Sequence, residues 1–192
     1  MKNQFTFIKI ISIVLISAIL IFLLKPYVNE YKERKTYDFT LDSLDGKINK
    51  DDFKGKVLAV YFGYTLCPDV CPTSLSTLSQ ALNQLNIEKD DLSAVFVSVD
   101  PQRDSLQNLN EYAKYFHQNF IGASSNKEYL DDMTKRYGSY YEKVILKDSA
   151  MDYSVSHTSY IYIFDKNGKF VSKIDHFSNP EKIAKILKEL LF

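Results

Sequence analysis

Cys67 and Cys71 are the only cysteines in the chain, with three residues between them. Two cysteines cannot build a disulfide framework, so the pair points to metal binding or thiol–disulfide exchange. They lie in Gly63-Tyr64-Thr65-Leu66-Cys67-Pro68-Asp69-Val70-Cys71-Pro72. The bland alternative is two buried cysteines acting as small hydrophobes. It requires both to fall by chance in one loop bracketed by prolines. Pro72 suits a first helical position, where the N–H it lacks has no partner anyway. Cys71 then sits at a helix N-terminus, where backbone N–H groups and the macrodipole favour its thiolate. The spacing lets both sulfurs share one side of the turn, close enough for one metal ion or one disulfide.

A third donor is His157, in Tyr153-Ser154-Val155-Ser156-His157-Thr158-Ser159. This loop precedes a strand expected from Ser159. Two thiolates and an imidazole make a soft, low-coordinate set that suits Cu(I). Zn(II) calls for a fourth ligand, and Asp69 is the obvious candidate. Asp69 also suits Cu(II), as an extra ligand, or partner docking. His117 ends an expected helix and His176 follows a strand end; neither is expected to be a ligand.

The surrounding pattern supplies elements to hold these residues. Asp45-Gly46 marks a hairpin turn after a short strand at residues 37–41. Val57-Leu58-Ala59-Val60-Tyr61-Phe62 is a continuous apolar run, as a strand buried on both faces requires. Leu75, Leu78, Leu82 and Leu85 then recur at helical spacing. A second buried strand is expected over 92–99, a helix over 104–117, and a short strand over 120–122. A helix over 126–137, capped by Ser125 or Asn126, and a short strand over 144–146 follow. Residues 159–164 and 170–174 make a hairpin about Asp165-Lys166-Asn167-Gly168, and Asn179-Pro180 opens a last helix. The alternation predicts an α/β, thioredoxin-like fold: a central, mostly parallel sheet with a closing antiparallel hairpin, preceded by one N-terminal transmembrane helix. The cysteine loop falls at the carboxyl end of a strand, where open α/β sheets place their sites.

The chain has 192 residues, enough for one core of ordinary size. Phe5 to Leu24 is interrupted only by Thr6, Lys9, Ser12 and Ser17, and as a helix spans roughly 30 Å, the thickness of a bilayer core. Residues 1–25 read as a membrane anchor, 26–36 as a charged tether, and 37–192 as the metal-binding domain. A cleaved signal peptide is the alternative, but no small-residue pair closes the apolar run. No cysteine lies near it for lipid attachment. Lys25, Lys32, Arg34 and Lys35 follow the span while Lys2 and Lys9 precede its core, so the positive-inside count leans against export. That rule is weak for long translocated domains. Without residues 1–25 the chain keeps 21 basic and 24 acidic residues. This excludes an electrostatic footprint for nucleic acid.

Standard dithiol oxidoreductases carry a cis-proline facing their cysteine pair. The five prolines here are Pro26, Pro68, Pro72, Pro101 and Pro180; none lies between 101 and 180, so the loop before the strand at Ser159 has no proline. The C-x3-C spacing and the lack of any Trp also count against that class.

Together, Tyr61-Phe62-Gly63-Tyr64-Thr65, Cys67-Pro68-Asp69-Val70-Cys71-Pro72, Val97-Ser98-Val99-Asp100-Pro101-Gln102-Arg103-Asp104 and His157-Thr158 resemble the Sco/SenC copper chaperones of cytochrome c oxidase assembly. The resemblance covers residues 37–190 and includes the N-terminal anchor. It implies a thioredoxin-like domain in the periplasm of a bacterium, or facing the intermembrane space from the mitochondrial inner membrane. It implies copper ligands Cys67, Cys71 and His157, with Cys67 and Cys71 also forming a redox disulfide. The implied partners are cytochrome c oxidase subunit two and a copper donor or thiol reductant protein. Leu66 stands where members often carry histidine, and Ser156 where aspartate commonly precedes the ligand. Asp100 and Arg103 read as a turn with a helix cap, Asp104 lying near the N-terminus of its helix, or as a docking edge near the metal.

The leading expectation is therefore a membrane-anchored copper metallochaperone, bound to Cu(I) and with an option on Cu(II), rather than an enzyme. A thiol–disulfide reductase acting on the oxidase's copper-site cysteines is the alternative. A redox or copper sensor is a third class. The lack of an Arg-rich, Ser-rich presequence favours the bacterial inner membrane over the mitochondrion.

Overall fold

The computed structural model describes residues 2–87, 91–147, 149 and 151–192, with the backbone alone for residues 2–12. Met1 and the side chains of the first part of the expected anchor, Lys2 and Lys9 included, lie outside the described set. The chain divides into two compact units, residues 1–36 and 37–192, each described by itself.

The first unit is one helix, α1 (Lys2–Tyr37), with Pro26 inside it; only its last residue, Tyr37, belongs to the second unit. Its described part, from Ile13, is long and apolar enough to cross a membrane. Residues 26–36, read above as a tether, continue the helix. Glu, Lys and Arg are good helix formers, and Arg34 and Lys35 sit in the last turn, where cations suit the dipole.

The second unit is built on a seven-stranded sheet, in which β1 (Thr40–Ser43) and β2 (Gly46–Asn49) form the first hairpin. The first strand starts later than expected because Tyr37 still belongs to α1, its ring stacked on Phe170 at 4.6 Å. β3 (Val57–Gly63) and β4 (Leu92–Ser98) are buried at every residue, as their unbroken apolar runs demand. β5 (Phe120–Ser124) pairs parallel to β4, and β4 parallel to β3. β8 (Tyr160–Phe164) and β9 (Phe170–Asp175) close the other edge as an antiparallel hairpin on β3. The order is β2-β1-β5-β4-β3-β8-β9, and the pairings send five of the seven strands in one direction.

Four helices complete this unit: α2 (Val70–Gln84), α3 (Leu106–Phe116), α4 (Lys127–Arg136) and α5 (Pro180–Leu191). They cover both faces. Tyr61, Phe96 and Gly122 lie in register on one face, and a Cβ on Gly122 would come within 2.3 Å of the Leu109 backbone. Only glycine lets α3 approach so closely. On the other face Phe62, Tyr162 and Phe164 meet the Tyr137 ring at the end of α4, with centroids 5.2 to 6.2 Å apart. Such edge-on aromatic contacts contribute beyond their buried area.

Side chains cap three helix starts: Ser105 accepts from Asn108 N, Asn126 from Tyr129 N, and Asn179 from Lys182 N. The third helix thus begins after Ser105 rather than at Asp104, whose carboxylate is engaged elsewhere. The larger departure is a separate two-stranded sheet of β6 (Tyr141–Ile145) and β7 (Tyr153–His157). The segment around His157, read as a loop, is therefore a strand of a projecting hairpin. Its alternation of Tyr153, Val155 and His157 with Ser154 and Ser156 is a strand signal.

Candidate metal centre

The site is assembled at the carboxyl end of β3. Gly63 ends that strand, and a Cβ there would lie 2.7 Å from both Cys71 Sγ and Phe96 Cε2. The glycine leaves room for the sulfur. Asp69 is the N-cap of α2, so Cys71 is its second helical residue and Pro72 its third. That is two places later than expected. Proline still fits, because none of the first four N–H groups has an intrahelical partner. Cys67 N donates to Tyr64 O at 3.3 Å and Cys71 N to Cys67 Sγ at 3.4 Å, which folds the loop around the first sulfur.

His157 arrives from the end of β7, opposite Tyr141. Its Nδ1 lies 3.2 Å from Thr158 O. A carbonyl only accepts, so with the proton on Nδ1 facing Thr158 O, Nε2 is the nitrogen that can bind a metal. Nε2 is 3.2 Å from Cys71 Sγ. The rings of Tyr61 and Tyr64 meet the imidazole edge-on, at 6.2 and 6.0 Å between centroids. One donor atom from each of Cys67, Cys71 and His157 lies within 4.8 Å of the other two.

The two thiols differ. Both are free. A hydrogen bond from the Cys71 thiol pulls the Cys67 pKa well down; burial opposes this, and His157 and the Asp69 and Cys71 amides add to it. Burial pushes Cys71 up, reinforced by the Cys67 thiolate. The expectation that the helix start favours a Cys71 thiolate is thereby corrected. Cys71 is fully buried against Gly63, while the half-buried Cys67 collects the donors of that helix start.

Asp69 is outside the donor cluster; its carboxylate faces Thr73 Oγ1 at 3.5 Å. His117 Nδ1 accepts from Asn119 N, and His176 lies 3.6 Å from Asp175. Neither joins the site among the described residues. Leu66, 47 % exposed, forms an apolar lip beside Cys67.

Residues that spacing alone did not single out hold the site in place. The buried Asp104 carboxylate accepts from Thr65 N at 3.1 Å, Thr65 Oγ1 at 2.5 Å and Ser98 Oγ at 2.5 Å. It thereby ties the start of the cysteine loop to the end of β4. Such hydrogen bonds to a charged acceptor are each worth about 1.5–3 kcal/mol. Burial and the neighbouring Cys71 push the Tyr61 hydroxyl's pKa up, so Tyr61 stays neutral beneath the sulfur.

Comparison with known proteins follows the same lines. A family model described as SCO1/SenC matches residues 28–191. The SCO2-like protein of Rickettsia felis is 36 % identical over 203 residues, covering 98 % of this chain and 99 % of its own. The solved structure of Bradyrhizobium japonicum ScoI with copper bound shares 37 % identity at a TM-score of 0.71, covering 80 % of this chain and 98 % of that one. Copper-bound Arabidopsis thaliana ScoI gives 32 % and 0.72, covering 79 % and 95 %.

Proposed function

The chain belongs to the SCO1/SenC family, and from that premise we propose that it carries copper on Cys67, Cys71 and His157 and delivers it to cytochrome c oxidase subunit two. The observation that carries this reading is the convergence of two thiols and an imidazole from two distant segments within 4.8 Å, with Nε2 of the imidazole 3.2 Å from Cys71 Sγ. Two sulfurs and one nitrogen match the preference of Cu(I). Copper bound to related solved structures supports the choice of metal. The full chain in detergent, titrated with Cu(I) against a chromophoric chelator, is expected to take up one ion per chain. The Cys67→Ser/Cys71→Ser variant is expected to take up none. Equal uptake by both would remove the cysteines as ligands.

The thiol asymmetry supports a second reading, a disulfide reductase. Cys67, half-buried and with its pKa driven down, has the character of an attacking thiolate, and buried Cys71 that of the resolving thiol. Attack on a partner disulfide forms a mixed disulfide. Cys71 then displaces it, leaving the chain oxidised and the partner reduced.

The helix α1 is proposed as a single-pass anchor in a bacterial inner membrane, with residues from about 37 onward in the periplasm. Its length and apolarity support this. A C-terminal alkaline phosphatase fusion is expected to be active. An inactive fusion, alongside an active cytoplasmic reporter at the same position, would reverse the topology.

A further inference from the structure

The hairpin of β6 and β7 carries His157 yet, among the described residues, pairs with no strand of the main sheet. Isolated two-stranded hairpins are marginal in water, so its hold on the domain decides where the imidazole lies. Tyr141 OH holds β6 by donating to Asp131 Oδ1 at 2.5 Å, and Thr158 N donates to Tyr140 O at 2.8 Å just beyond the last pair. On β7 the hold is Val155, buried in the core, and Tyr153, four residues before His157.

Arg103 packs its guanidinium on the Tyr153 ring, 3.6 Å from the centroid, and Nη1 donates to Tyr153 O at 2.8 Å. Nε donates to Asp100 Oδ2 at 2.5 Å, and Tyr153 OH donates to Asp100 Oδ1 at 2.9 Å. The four contacts close a ring: arginine, carboxylate, phenol and backbone. Asp100 is fully buried and Arg103 19 % exposed. Lys143 on β6 adds a cation 4.2 Å from the Tyr153 ring centroid. The other side of Arg103 faces the Tyr64 ring, which itself meets His157. Arg103 follows β4, so the ring joins the hairpin to the centre of the sheet.

We propose that Arg103 is a positioning residue for the metal centre: through Asp100 and Tyr153 it fixes β7 so that His157 stays over Cys67 and Cys71. The copper half of this rests on the proposed function, but the clamp itself does not. The cysteine loop has a further hold of its own, by Asp104 through Thr65. Losing Arg103 therefore releases the imidazole and spares the sulfurs.

The test uses the full chain in detergent carrying Arg103→Met. In the metal-free protein, amide hydrogen exchange across β6 and β7 is expected to accelerate about tenfold or more, with β3 and β4 unchanged, as local opening requires. Cu(II) affinity is expected to fall about 10- to 100-fold, the usual cost of losing a ligand's support. Combining Arg103→Met with His157→Ala should then cost no more than His157→Ala alone, since both remove one ligand. Arg103→Lys keeps the cation on Tyr153 but not the fork, and should fall between. Unchanged exchange in the hairpin, equal acceleration in β3 and β4, or additive copper losses would overturn the clamp. Should the unmodified chain bind no copper, the metal reading fails, and hydrogen exchange alone decides the clamp.

Discussion

The full chain carrying His157→Ala is expected to hold Cu(I) more weakly, to lose most Cu(II) binding, and to fail to support assembly of the oxidase. The fold should tolerate the change. The backbone of His157 pairs with Tyr141 at the end of β7, and its side chain lies beside Tyr61, Tyr64, Cys67, Cys71 and Thr158 O. What is lost is one nitrogen donor. Cu(I) is soft and accepts two sulfurs, so the dithiol retains it. Cu(II) needs the imidazole more. Its affinity should drop by at least the roughly 10- to 100-fold that a ligand's outer partner is worth. A disulfide reductase behaves otherwise, because exchange uses only the sulfurs. Chelator competition in both oxidation states, beside complementation of an oxidase-deficient deletion strain, separates the two. Full complementation by His157→Ala would sink the metallochaperone reading and promote the reductase.

The strands and the site were legible for different reasons. β3 and β4 announce themselves as apolar runs because both their faces are covered. Cys67 and Cys71 announce themselves because nothing else explains two cysteines in one proline-bracketed loop. The path of His157 was harder to read. Residues 141–145 are mostly exposed and 153–157 only partly buried, so the alternation at 153–157 marks a strand without saying what it pairs with. Their pairing depends on tertiary contacts at Tyr153, which alternation does not encode. Asp104 likewise looked like a helix cap, since capping is what an acid before a helix usually does. Burial beside Thr65 and Ser98 gave it a different task, and Ser105 took the cap. The thiol assignment failed on burial as well. Helix-terminus position alone favours a Cys71 thiolate, but desolvation outweighs a macrodipole worth at most about 2 kcal/mol.

That asymmetry has a large and simple consequence for the metal-free, reduced chain. An alkylating reagent such as iodoacetamide is expected to modify Cys67 about 100-fold or more faster than Cys71, because reagents attack the accessible thiolate. The pH profile carries the sign. A free thiol, with its pKa near 8.5, loses about tenfold in rate for each pH unit below that value. Cys67, with its pKa driven far down by the Cys71 thiol and the loop amides, keeps its thiolate, so its rate should stay nearly level from pH 8 to pH 5. Its intrinsic nucleophilicity is lower for the same reason. A free thiol should therefore outrun it at pH 8.5 and fall behind at pH 5. Two variants locate the cause. Cys71→Ser keeps a hydroxyl that donates to Cys67, so the level profile should largely persist. Cys71→Ala removes the donor, so the profile should bend upward with pH toward that of a free thiol. In Cys67→Ser the remaining thiol is fully buried and should react slowly throughout. Peptide mapping after brief alkylation reads out both sites at once. If Cys71 is labelled first, or if both cysteines follow the free-thiol curve, the hydrogen bond from Cys71 to Cys67 does not set the chemistry of this loop.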